Sequence, residues 1–227
     1  MVMKSKKLIV NFFLLSILFL NSCNKKKYLP EQINKTVFYE VIFRDKDKKV
    51  KKLRQSYHVL EENNKIVLLK NDGQLISYEL QNEGIKIYAT HYTSFNNNES
   101  SKIDKKMYLP FPIEKGYQWN EQDKTTLQMK LGYDRIFNTN LPLTMTNQII
   151  GEEYVRLKEG KKIKCLKIEG EGKTSYNPGP PLGNIDISVH TKLWLAEDYG
   201  LVKYVREEKS DSATMGEVFY EKNLLIE

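Results

Sequence analysis

Histidine is scarce in this chain, with three in 227 residues, and cysteine scarcer still, with two. Together they supply no His-x-x-x-His and no Cys-x-x-Cys pair, so no zinc site of recognisable spacing is encoded. Also missing are a Gly-x-Ser-x-Gly nucleophile elbow, a phosphate-cradling Gly-x-x-x-x-Gly-Lys-Ser/Thr loop and a Gly-x-Gly-x-x-Gly fingerprint. Beyond residue 22 no stretch sustains apolar spacing of three and four over about ten residues, which argues against a helical core. From these absences we expect no catalytic constellation, no metal and no cofactor.

What the chain does have begins at its N-terminus. Lys4, Lys6 and Lys7 precede an apolar run over residues 8–20, broken only by Asn11 and Ser16. A helix needs roughly 20 residues to cross a bilayer core of about 30 Å, so this run is too short to span and reads as the core of a secretory signal peptide. The residues that follow, Leu20-Asn21-Ser22-Cys23, resemble the lipobox of bacterial lipoproteins, although Asn21 stands where Ala, Ser or Thr is usual. The resemblance implies cleavage before Cys23, attachment of diacylglycerol to its thiol, acyl chains such as palmitate, and a membrane partner in the cell envelope. Asn24 occupies the position where Asp favours inner-membrane retention in enteric bacteria, which leans toward the outer membrane.

Residues 1–22 therefore read as signal peptide, 23–32 as lipidated tether and 33–227 as a β-rich domain, with a candidate internal seam near 102–116. Cleavage removes 22 of 227 residues and leaves 205, enough for one domain or two small ones. It also removes three lysines, lowering the formal charge from +7 to +4, so nucleic acid is not an expected partner. With Cys23 lipidated, Cys165 has no intramolecular partner and reads as a small buried hydrophobe.

The body is patterned for strands. Thr125, Leu127, Met129 and Leu131 alternate with Thr126, Gln128 and Lys130. Ile185, Ile187, Val189, Leu193 and Leu195 oppose Asp186, Ser188, His190 and Lys192, and Leu53, Tyr57 and Val59 oppose Lys52, Arg54, Ser56 and His58. Asn71-Asp72-Gly73 and Glu159-Gly160-Lys161 carry hairpin-turn chemistry. The fold class is all-β and mostly antiparallel: a barrel, half-barrel or curved sandwich of about ten or more strands with few helices.

Two features are candidates for binding. Residues 44–54 form a basic hairpin suited to anionic lipid or polysaccharide, although charged turns and edge strands also serve to prevent aggregation. The second is aromatic and histidine density: Tyr88, His91, Tyr92, Trp119 and Trp194 are candidate lining residues of a cavity for a hydrophobic ligand, though ordinary packing uses the same residues.

Phe111-Pro112-Ile113, Gly116, Trp119, Gly151-Glu152-Glu153, Lys164-Cys165-Leu166-Lys167-Ile168 and the Trp194 to Lys203 hairpin resemble landmarks of uncharacterised β-rich envelope lipoproteins. A more distant similarity is to the half-barrel carriers of lipoproteins, which implies a concave acyl-binding face; those carriers cover it with helices, which this sequence does not predict. Three functional readings stay open: a lipid-anchored envelope protein with a non-catalytic binding or structural role toward a ligand or envelope protein, a carrier of lipid or lipoprotein cargo, and a cell-envelope hydrolase.

Overall fold

Twelve antiparallel strands form one barrel-shaped sheet that is nearly closed, in a computed structural model describing residues 28–45, 47–62, 65–91, 105–131, 135–180, 183–210 and 216–226. The predicted signal peptide, Cys23, Tyr92 and the polar segment 96–101 lie outside the described residues. The strands are β1 (Thr36–Arg44), β2 (Val50–Glu62), β3 (Lys65–Lys70), β4 (Gln74–Gln81), β5 (Gly84–His91), β6 (Lys105–Pro110), β7 (Gln118–Leu131), β8 (Arg135–Arg156), β9 (Lys162–Tyr176), β10 (Ile185–Ala196), β11 (Gly200–Ser210) and β12 (Glu217–Leu225). No helix occurs among the described residues.

Every neighbour in the sheet is a sequence neighbour except one: β12 pairs with β1, so the first and last strands meet in mid-sheet. The two free edges then fall on β6 and β7, which are consecutive in the chain. Turn residues do what their chemistry predicts. Gly73 (φ +84°) and Gly160 (φ +87°) take the left-handed conformation that closes the β3–β4 and β8–β9 hairpins, and Gly200 (φ +67°) starts β11.

Alternation sorts the two faces. Ile185, Ile187 and Val189 of β10 are buried while Asp186 and His190 are exposed, and in β9 Lys164, Glu171 and Lys173 are exposed. A membrane-spanning barrel turns an apolar band outward, and this outer surface is charged instead. The apolar core concentrates at one end, around Tyr39, Val59, Ile85, Leu109, Ile149, Ile168, Leu195 and Val202, and a smaller cluster of Leu141, Leu143, Met145, Ile185, Ile187 and Val189 lies on β8 and β10. Cys165 is buried in the first cluster, and burial pushes its thiol up to about 11.

The body also takes in residues assigned to the tether by sequence. Leu29 is buried in the core, Pro30 bridges to Tyr199, and Glu31 N–H donates to the Asp198 carbonyl at 3.1 Å. Burying one leucine is worth about 1.5–3 kcal/mol, enough to hold a short segment down. Gly200 makes the docking possible, because a Cβ there would stand 2.8 Å from Pro30 Cδ. Gly200→Ala is therefore expected to lower stability by about 1–3 kcal/mol and to expose residues 28–32. Urea unfolding and amide exchange measure the two effects; unchanged exchange at 28–32 would disprove the docking role.

Candidate functional site

The strand alternation of β7 carries an anomaly. Counting back from Thr125 along the inward face gives Asp123, Glu121 and Trp119, so two carboxylates point where apolar side chains belong. On β11 the inward positions are Tyr204, Arg206 and Glu208, in register with Leu193, Thr191 and Val189 of β10. These charges meet across the interior. Arg206 Nη1 lies 2.6 Å from Asp123 Oδ2, its Nε 2.6 Å from Glu208 Oε1, and its Nη2 donates to the Lys124 carbonyl at 2.9 Å. Thr125, 1 % exposed, donates to Glu208 Oε2 at 2.7 Å.

The same network closes the sheet. From β6, Lys106 Nζ reaches Asp123 Oδ1 at 2.5 Å, and the edge N–H of Met107 donates to Glu121 Oε1 at 2.9 Å. Side chains from β7 thus take the place of a backbone ladder between the two free edges. Behind this seam lies a cavity of about 160 Å³ to which seven strands, β5 to β11, contribute. Ile87, Met145, Ile168 and Leu193 form its apolar wall, and Lys106, Glu121 and Asp123 its polar one. Gly170 leaves room beside it, since a Cβ there would press on Asn147 Oδ1 and Thr191 Oγ1.

Electrostatics separates the two β7 carboxylates. Burial tends to raise both. For Asp123, the contacts with Lys106 and Arg206 outweigh burial and hold the carboxyl below its usual range. For Glu121, burial prevails over Lys106 and the Met107 N–H, and the neighbouring Asp123 adds to it, so Glu121 is pushed up to about 7. The count of charges agrees: Lys106 and Arg206 balance Asp123 and Glu208, which leaves Glu121 as the surplus carboxylate.

A second polar group is buried a few strands away. Lys222 of β12, 9 % exposed, donates to Tyr57 Oη at 2.9 Å and stands 4.1 and 4.3 Å from the ring centres of Tyr57 and Tyr39. Among the described residues no carboxylate pairs with it. Burial first, and Lys70 second, push its ammonium down to about 7.

Of the residues singled out by sequence, Trp119 lines the interior cavity, and its indole N–H is buried without a hydrogen-bond partner among the described residues. Tyr88 and Trp194 do not line it, and Trp194 is instead buried in the main core cluster. Tyr88 donates to Glu79, and Trp194 lies between Lys167 and Lys203 at 5.5 and 5.6 Å while donating to Glu153. The physical reason is parity: in register they match Ser77 and Lys203, while Ile87 and Leu193, one residue away, turn inward. His91 stands opposite Gln74 at the end of β5, and Tyr92 is outside the described residues. Lys106, Glu121, Asp123, Arg206, Glu208 and Lys222 were not legible as a site, though charge in phase with an apolar stripe was a usable signal for the β7 pair. No group of three or more metal-ligating side chains occurs among the described residues.

Two variants test this reading. Glu121 has a folded pKa above its unfolded one, so its contribution to stability is full at low pH and is lost as pH rises from about 4.5 to about 7. Glu121→Gln keeps an acceptor for Met107 and is expected to remove that loss; identical urea midpoints for variant and wild type at pH 4.5 and pH 8 would refute it. Lys222 is the reverse case of a base with a lowered folded pKa, whose penalty is full below about 7 and gone above the unfolded value near 10.4. Lys222→Met should raise stability at pH 6 by about 1–4 kcal/mol, with the gain fading toward pH 10.5. A gain that does not vary with pH would show that Lys222 is not the cause.

No protein-family model matches the chain, and none of the curated proteins does. Three solved structures are similar in chain path. The hypothetical lipoprotein YmcC of Escherichia coli is 13% identical with a TM-score of 0.36, over 96% of this chain and 95% of that one. A protein of Bacteroides fragilis, provisionally described as exported and YmcC-like in fold, is 13% identical with a TM-score of 0.37, over 87% and 97%. A protein of Parabacteroides distasonis, provisionally described as a lipoprotein, is 12% identical with a TM-score of 0.41, over 87% and 96%.

Proposed function

We propose that this protein is a lipid-anchored component of the bacterial cell envelope whose barrel serves as a non-catalytic binding or structural module. The observation that carries the non-catalytic part is that the interior charges other than the surplus Glu121 satisfy one another, and Glu121 itself accepts the Met107 N–H. Arg206, Asp123, Lys106, Glu208 and Thr125 are spent on one another, and Cys165, with its thiol pushed up to about 11, is a poor nucleophile. The interior cavity of about 160 Å³ is also below the roughly 300–1,000 Å³ of sites that enclose drug-sized ligands. That volume weighs against a lipid cargo held in the cavity behind the seam.

Cys23 would place the module at a membrane. Only residues 24–27 separate it from Tyr28, and the five chain steps from Cys23 to Tyr28 reach at most about 18 Å. The end of the barrel that carries Leu29 and Tyr199 would then rest close to the bilayer surface. Asn24 favours the outer membrane over the inner one.

Cys23→Ser is the test. We expect it to abolish metabolic palmitate labelling and to move the protein from the membrane to the soluble fraction. Membrane association that persists without the label would overturn the anchor.

A further inference from the structure

One inward row of the sheet breaks the apolar pattern. Trp119 of β7 stands in register with Asn147 of β8, Asn147 with Gly170 of β9, Gly170 with Thr191 of β10 and Thr191 with Arg206 of β11. The row on one side of it runs through Ile149, Ile168 and Leu193, and the row on the other through Met145, Gly172 and Val189. Polar side chains therefore lie between two apolar rows, and Gly170 leaves the middle of their own row empty. A Cβ at Gly170 would stand 2.3 Å from Asn147 Oδ1 and 2.5 Å from Thr191 Oγ1, so the glycine is what lets this amide and this hydroxyl converge.

Trp119 ends this row at the cavity of about 160 Å³, and its indole N–H is sealed from solvent with no hydrogen-bond partner among the described residues. Leaving such a donor unpaired costs about 1–3 kcal/mol, so a ligand gains by bringing it an acceptor. Volume sets the size of that ligand. An apolar cavity of about 150 Å³ holds one benzene ring, and here Ile87, Ile168 and Leu193 supply an apolar wall for a ring. Water satisfies the polar side but not that wall, and displacing poorly held water with an apolar group is favourable. Charge selects a neutral molecule. Glu121 is the surplus carboxylate of the interior and opposes an anion, while the Trp119 donor opposes a cation.

We propose that this cavity binds an uncharged, ring-sized molecule carrying a hydroxyl group, of the phenol class. Its oxygen would accept from Trp119 Nε1–H, its own proton would be donated to the Asn147 amide oxygen or the Glu121 carboxylate, and its ring would pack on Ile87, Ile168 and Leu193. A bare ring would leave Trp119 unpaired. A carboxylate would meet Glu121 and Asp123, which share the cavity. The proposal rests on the reading of the barrel as a binding module and names what the module binds, and it does not depend on lipidation of Cys23.

The chain holds two tryptophans, so the full chain, isotope-labelled in nitrogen and held in non-ionic detergent, gives two indole N–H resonances. Phenol, with its free concentration fixed by dialysis, is expected to shift the Trp119 resonance saturably and to leave that of Trp194, which donates to Glu153, in place. Trp119→Phe should weaken phenol binding by calorimetry roughly five- to tenfold, and Ile87→Phe, which fills the cavity, should abolish it, with the melting temperature as the check that both variants fold. On the unchanged chain, toluene and benzoate should each bind roughly tenfold more weakly than phenol or not at all. These three probes decide the matter even where a variant does not fold. The proposal fails if phenol leaves the Trp119 resonance unmoved, or if toluene or benzoate binds as tightly as phenol. Such a failure overturns the ligand alone, since the lipid anchor is read separately by palmitate labelling and a structural role for the barrel would stand.

Discussion

Arg206 and Asp123 stand on strands separated by three others around the sheet, and their side chains nevertheless meet at 2.6 Å. The contact sets how closely two walls of the barrel approach. A sheet of eight strands encloses a space that side chains just fill, and twelve would leave a lumen if the section stayed round. Here the walls are drawn together by the cross-barrel contacts of Arg206 with Asp123 and of Thr125 with Glu208, and a cavity of about 160 Å³ remains behind the seam. The seam depends on the same group, because Asp123 is shared between Arg206 and Lys106 of the edge strand.

Burying these charges is costly, and a buried ion pair is weak evidence of net stability. What the network supplies is position. Apolar side chains could fill the interior without specifying which β7 residue faces which on β6, whereas Glu121 accepts the Met107 N–H and Asp123 accepts Lys106 at one register only. The apolar end of the barrel needs no such device, since Tyr39, Val59, Ile85 and Leu109 pack there beneath the docked Leu29. Lys222 is the unusual case: a buried cation held by two aromatic rings and one hydroxyl, with no balancing anion among the described residues.

Much of the fold was readable because it rests on local chemistry. The alternation of β10 and the turns at Gly73, Gly160 and Gly200 appear where their residues indicate. The site was far less readable. Tyr88 and Trp194 are aromatic and strand-borne, yet a period of two turns both away from the cavity, Trp194 while it stays 7 % exposed in the main core cluster, and neither aromaticity nor density reports which way a strand residue turns. Asp123 and Arg206 are 83 positions apart, a separation over which no periodicity carries information. Trp119 was legible as a large apolar side chain near a bend, but not as the bearer of a sealed, unpartnered N–H.

By itself the sequence determined that this is an antiparallel all-β chain, because alternation and turn propensity act between residues a few positions apart. The expectation of a signal-like leader likewise rests on charge and apolar length read in one dimension. Only the tertiary structure decided that β12 joins β1, that the free edges fall on β6 and β7, and which charges face inward. Pairing and closure depend on the register of strands far apart in the chain, and a one-residue slip in any of them would exchange core for surface.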